Sequence, residues 1–345
     1  MYEVTHPVDI ASGRNYRPQL QQLLKHPAAG IVIAWLALML VMRVVAPEFG
    51  RMSNLMGIVT NTSVIAIVAM GLVFVMISGG IDLSVGSLLG LTGVIIYLLA
   101  VPLGLPSWLA AALGIVFSTA VGALLTGGLV AKGKLSAFVV TLAGMVGFAG
   151  LAGVLTNGRT NTIPNPGVIA WLGSGSIGPV PVAPLVMLAC FALTTWVLRA
   201  TWFGREIYAV GGNPEAARLS GVNVARVQVL SFAVAALFVG IAAIIQIGRF
   251  RGSVPPTAGA GMELTAVAAL LLGGVSLSGG SGGAGGALVG VLFLATAQNS
   301  LDILGVSTYW KDVVTGAILV SALLLTTLRG RLYLNGRKKT EGTVL

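Results

Sequence analysis

Long apolar runs almost free of charge constrain this chain more than any other feature. Residues 55–77 and 227–248 hold no Asp, Glu, Lys or Arg. A run of about 18 apolar residues is long enough to cross the roughly 30 Å hydrocarbon core of a bilayer as a helix. Only 9% of the chain is charged and 56% is hydrophobic, a balance foreign to soluble domains. The pattern predicts an all-α, polytopic membrane protein of about ten transmembrane helices, at about 28–46, 55–77, 83–101, 107–130, 135–155, 181–199, 227–248, 262–277, 284–301 and 310–328. The 48 glycines suit this class, because small residues let helix backbones approach closely in lipid. The chain divides into a polar tail over 1–27, a transmembrane domain over 28–328 and a basic tail over 329–345.

An even number of spans puts both termini on one side. That side receives Arg14, Arg17, Lys25, Lys132, Lys134, Arg199, Arg205, Arg218, Arg226, Arg329, Arg331, Arg337, Lys338 and Lys339. The other side receives Arg43, Arg51, Arg159, Arg249, Arg251 and Lys311. The excess of Lys and Arg places both termini and the loop over 200–226 in the cytoplasm. The first 27 residues carry no cleavable-signal pattern, so the first span reads as a retained anchor. A net charge of +10 does not mark a nucleic-acid binder, since the basic residues sit at span ends rather than on one face. Of the outer loops, 156–180 offers Trp171 as an interfacial anchor, and the two prolines within 249–261 argue against continuous helix there. Either loop could receive a partner from outside or simply connect spans.

The stretch from Gly204 to Arg226 is the longest polar interruption of the apolar C-terminal half. It holds a short helix with both ends marked. Asn213 suits the N-cap, Pro214 the first helical position, and Glu215 the positive end of the helix dipole. Arg218 falls in the last turn, and Gly221 can take the left-handed conformation that stops a helix. A helix this short is marginal alone in water. Either a partner protein holds it, or it folds against its own membrane domain.

The chain also echoes itself. Gly79-Gly80-Ile81-Asp82-Leu83-Ser84-Val85-Gly86-Ser87 aligns with Gly273-Gly274-Val275-Ser276-Leu277-Ser278-Gly279-Gly280-Ser281, sharing both glycine pairs, the Leu-Ser step and the closing Gly-Ser. Weak internal repeats recur in transporters, and Gly-interrupted segments at matching places point to the pathway. With ten spans the two copies run parallel. Asp82 or Ser276 can cap the helix that follows its glycine pair. Asp82 and Glu263 are the acids nearest the interior of apolar runs, positions that default to function. Ser84, Ser278 and Asn299 complete a candidate translocation path with Asp82, Glu263 and Ser276; Gln298 and Asp302 make the end of span nine polar, where they could bond a hydroxylated solute or meet water.

Catalytic chemistry is not legible. The only histidines are His6 and His26, and no HExxH, GxSxG or His/Cys cluster occurs. The single cysteine, Cys190, lies within an apolar run and reads as a small buried apolar residue. Gly128 to Lys134 satisfies the start of a GxxxxGK phosphate loop, but Leu135 stands where a magnesium-binding Ser or Thr is needed, and no strand precedes it. The expectation is no enzyme, no metal and no cofactor in this chain; any ATP would be used by another subunit.

Three stretches together resemble the membrane permease subunits of bacterial ATP-binding-cassette importers for sugars, the ribose/xylose/autoinducer-2 branch: Ile77 to Ser87, Phe203 to Val224, and Gly261 to Gly282. The resemblance runs from the first span to the last. It implies that Gly211, Gly212, Asn213, Pro214, Glu215, Ala216, Ala217, Arg218, Ser220 and Gly221 form the element that couples to a cytoplasmic ATPase. It also implies a bacterial inner-membrane location, two permease copies around a central path (a homodimer being the simpler arrangement), and an extracytoplasmic sugar-binding protein. The scarcity of charge within the spans fits passage of a neutral polyhydroxylated solute. The alternative is a stand-alone ion-coupled secondary carrier, which would draw on Asp82 and Glu263 for its coupling.

Overall fold

The computed structural model describes residues 29–307, 309–321 and 324. The expected tails at 1–27 and 329–345, and the end of the tenth span, lie outside the described residues. Twelve helices are named here: α1 Ala29–Val45, α2 Met52–Ile77, α3 Val85–Ala100, α4 Ser107–Ala131, α5 Ala137–Thr156, α6 Val168–Ser174, α7 Val182–Ala200, α8 Trp202–Gly212, α9 Pro214–Leu219, α10 Val224–Arg249, α11 Met262–Leu272 and α12 Ala284–Ile303. Residues 309–321 are helical as well. Six helices (α2, α4, α5, α7, α10 and α12) are long and apolar enough to cross a membrane, while α1, α3 and α11 are shorter apolar helices. The mostly helical chain is that of a polytopic membrane protein.

Helices α2 and α10 form an antiparallel central pair. A Cβ on Gly71 would lie 2.8 Å from Phe238 Cβ and 3.0 Å from Ala235 Cα, so glycine permits backbone contact at their crossing. Phe74 packs at 6.3 Å from both the Phe203 and Phe238 rings. Around this pair, α4 wraps α10 through a π-helical turn at Val121–Thr126. The helices α4, α5 and α7 turn apolar side chains outward, with Leu124 78% and Val154 73% exposed. In water such faces would aggregate; in a bilayer they meet hydrocarbon.

The eighth expected span differs from the apolar run that suggested it. Helix α11 has only 11 residues, about 16 Å at 1.5 Å per residue, roughly half of a bilayer core. Gly273 and Gly274 end it, so the expected stretch at 262–277 is helical only to Leu272. The residues just before α11, 253–261, are non-helical. Val254, Pro256 and Gly259 lie in turn against Gly93, Gly90 and Gly86, so the segment runs antiparallel down the glycine face of α3. Pro255 and Pro256 bar helix there; Val254 and Gly259 are buried against α3, while Thr257, Ala260 and Gly261 are exposed. Helix α3 itself begins only at Val85, after a non-helical stretch from Ser78.

At the end of the bundle far from α9, the loops are tied down. Strand β1 (Asn161–Thr162) pairs antiparallel with β4 (Ser253–Val254), Asn161 opposite Val254. Strands β2 (Ser176–Ile177) and β3 (Val180–Pro181) form a hairpin. The 156–180 loop therefore contains the helix α6, on which Trp171 is 48% exposed.

Candidate coupling site and translocation path

Helix α9 has the ends its sequence marks. Ala216 N–H donates to Asn213 Oδ1 at 3.0 Å, Pro214 fills the first position, and Glu215 accepts from Arg218 at 3.0 Å. Beyond the helix, Gly221 takes a φ of +87°, and Val222 N–H donates to Ala217 O at 3.0 Å. Ala217 is buried, whereas Leu219, two residues along and so on the opposite face, is 89% exposed. Sequence reasoning passed over Leu219, although the helical period alone places it opposite Ala217.

Sequence reasoning also missed α8, reading its Gly, Arg and Glu as loop. Thr201 Oγ1 caps it by accepting from Gly204 N–H at 3.1 Å. Phe203, Ile207 and Val210 are buried at i, i+4 and i+7, a helical stripe present in the sequence. Arg226 lies 5.2 Å over the Trp202 ring, joining the start of α8 to the start of α10. Tyr208 O–H donates to Gly282 O at 2.8 Å. Burial pushes the Tyr208 phenol above its ordinary range, more strongly than the Arg199 cation lowers it, so this donor keeps its proton.

The end of α8 seats on both copies of the echo. A Cβ on Gly211 would overlap Ile77 O, and one on Gly279 would lie 2.8 Å from Gly79 Cα. Gly280 N–H donates to Ile77 O at 2.8 Å. The two glycine loops, which end α2 and α11, thus meet at Gly211 and Gly212, immediately before the N-cap of α9. The copies also share a turn: Ser84 N–H donates to Asp82 Oδ1 at 2.8 Å and Ser278 N–H to Ser276 Oγ at 3.2 Å. Each side chain closes a turn two residues on instead of capping the next helix, a correction to the expected role. Helix α3 has Ser84 at its N-cap and α12 has Gly283, neither with a side-chain cap.

The candidate path residues fall in three places. Asp82, Ser84 and Glu263 gather at the start of α3: Asp82 is 4% exposed and accepts from Ser84 Oγ at 2.6 Å, and Glu263 Oε2 lies against Gly86. Ser276 and Ser278 belong to the glycine contact beside α8. Asn299 sits elsewhere, in a reciprocal amide pair with Asn54 at 3.0 and 3.2 Å. Gln298 bonds Thr315 at 3.4 Å, and Asp302 pairs with Lys311. Gln298, Asn299 and Asp302 thus each have a partner on another helix.

A cavity of about 850 Å³ lies under α9, lined among others by Gly79, Lys134, Arg218, Gln228 and Phe232. The GxxxxGK look-alike forms its edge: it ends α4 and turns, with Lys134 at φ 55°, before α5. No strand leads into it, so the structure lacks the setting of a phosphate loop. Among the described residues, no group of three His, Cys, Asp or Glu could hold a metal ion.

The family described as the permease component of branched-chain amino acid transport systems matches residues 54–323. The chain belongs to this permease family. Its members are transport permeases, not enzymes. The permease is 39% identical over 297 residues to the ribose import permease protein RbsC of Escherichia coli (strain K12), covering 85% of this chain and 92% of that one. It is 38% identical over 290 residues to the protein of the same name from Bacillus subtilis (strain 168), covering 84% and 89%. The xylose transport system permease protein XylH of Escherichia coli (strain K12) is 33% identical over 341 residues, covering 81% and 86%. No solved structure matches the permease.

Proposed function

We propose that this permease is the membrane-spanning subunit of an ATP-binding-cassette importer for a sugar or similar polyhydroxylated solute. The family label names amino-acid transport, but the relatives cited are ribose and xylose permeases that align over most of their length. That similarity carries the substrate class. The scarcity of charge within the spans supports it, since a neutral solute needs no buried counter-ion.

Coupling falls to α9, with Asn213, Pro214, Glu215, Ala216, Ala217, Arg218, Ser220 and Gly221, joined by the exposed Leu219. Gly211 and Gly212 act on the inner side of this element, as the seat that links it to the ends of α2 and α11. A cytoplasmic ATPase would push on α9, and the glycine contact would pass the push to the two helices leading into the path. In this reading ten segments cross the membrane, with the non-helical residues 253–261 completing the eighth. Both termini and α9 face the cytoplasm, two copies surround the path, and a binding protein delivers the solute outside. The ATP is used by the partner subunit.

Affinity purification of the tagged permease from membranes tests this. The expected result is a co-purifying ATPase that is lost when Asn213–Gly221 is replaced by a Gly-Ser linker. A permease that transports in sealed vesicles with no ATPase present would overturn the reading in favour of an ion-coupled carrier.

A further inference from the structure

The contact between α3 and the 253–261 segment holds a carboxylate that the fold leaves half satisfied. Glu263 is 7% exposed. Its Oε1 accepts from Gly261 N–H at 3.2 Å, but its Oε2 is fully buried and has no hydrogen-bond partner. A Cβ on Gly86 would collide with both Glu263 Oε2 and Gly259 O, so two acceptor oxygens converge on this one glycine. Such an arrangement is costly unless a donor reaches it. Two helices also start here without a side-chain cap, α3 after Ser84 and α11 after Gly261. Their first-turn N–H groups have no partner within their own helices. The place thus offers acceptors and donors together.

We infer that Glu263 Oε2 is a solute contact: it accepts a hydroxyl of the passing sugar when the 253–261 segment moves off α3. This inference rests on the sugar-importer reading above. A sugar hydroxyl both donates and accepts, so one group can answer the free carboxylate oxygen and an amide at a helix start. A cation suits the site poorly, because both helix starts carry the positive end of the dipole. Separation is feasible at these glycines, because Gly86, Gly90 and Gly93 put no side chain into the segment; what they meet there is Gly259 O, Pro256 O and the Val254 side chain. Asp82 differs, since its Oδ1 is already taken by Ser84 N–H and Oγ within the turn.

Glu263→Gln separates this from a purely structural role. Its amide can donate to Gly259 O, which removes the free acceptor and fastens the closed contact. The expected result is a higher melting temperature of the purified permease together with an about tenfold or greater loss of uptake, the scale of one charged hydrogen bond. Uptake is measured in vesicles carrying the whole transporter, with a panel of pentoses and hexoses and their monodeoxy analogues. One deoxy analogue should be a poorer substrate for the wild type and should lose nothing further in the Glu263→Gln variant. Wild-type uptake of a sugar with unchanged uptake by the variant overturns the inference alone. So does a lower melting temperature with equal losses for parent and deoxy sugars. If the Gln variant does not insert, Glu263→Asp, which keeps an acceptor one methylene short, must show the same sugar-selective loss, and an equal loss for all sugars overturns the inference. No uptake of any sugar by the wild type would overturn the sugar-importer reading itself.

Discussion

Single residues divide sharply by what surrounds them. Leu219 touches little of its own chain, so Leu219→Ala should change the melting temperature hardly at all, within the roughly 0.5 kcal/mol typical of surface substitutions. Co-purification of the ATPase should nonetheless fall severalfold, because an exposed apolar side chain on a docking element serves the partner. Gly211→Ala is the opposite case. The new methyl would strike the carbonyl of Ile77, backbone that cannot turn aside, and overpacking of this kind costs about 1–3 kcal/mol. Thermal unfolding of the solubilised protein should show that loss. Asn213→Ala should cost about 1 kcal/mol through loss of the N-cap, read by the same assay, and the larger effect should appear in transport. Of these three positions, Asn213 announces its role through its neighbours in sequence. Gly211 looks like any loop glycine until the ends of α2 and α11 are brought against it.

Among elements, legibility followed the range of the forces involved. The caps of α9 are set within a few residues, and the sequence displays them. Helix α8 was equally local, yet its polar residues hid the buried stripe of Phe203, Ile207 and Val210. The glycine pair Gly273-Gly274 marks the stop of α11 in the sequence; what was not legible is that the non-helical residues 253–261 lie along α3. Nor was the approach of Glu263 to Gly86, which depends on the 253–261 segment folding back along α3. The exchange Glu215→Lys with Arg218→Glu belongs to this scale. The pair is exposed, so its contribution to stability is small, but the reversal sets both charges against the dipole of α9. Melting should shift by a degree or two at most, while ATP hydrolysis should become uncoupled from uptake. Normal transport by this double variant would remove α9 from the coupling role.

At the scale of the whole molecule, the proposed orientation, with α9 in the cytoplasm, is read by cysteine labelling. Cys190 is buried between helices, which makes the wild type nearly silent to membrane-impermeant maleimides. A cysteine placed by Ser220→Cys should be labelled in inside-out vesicles and spared in intact cells; a cysteine placed by Ile177→Cys should show the reverse. The opposite pattern would turn the bundle over and separate α9 from any cytoplasmic partner.

The shortness of α9 has one more consequence. Six residues make a rod of about 9 Å, too small a footprint for tight association. If each of two copies offers one such rod to a joined ATPase pair, the second contact forms at the high local concentration set by the first. The assembly should then hold by avidity: stable while both contacts exist, and dissociating in one cooperative step once either is lost.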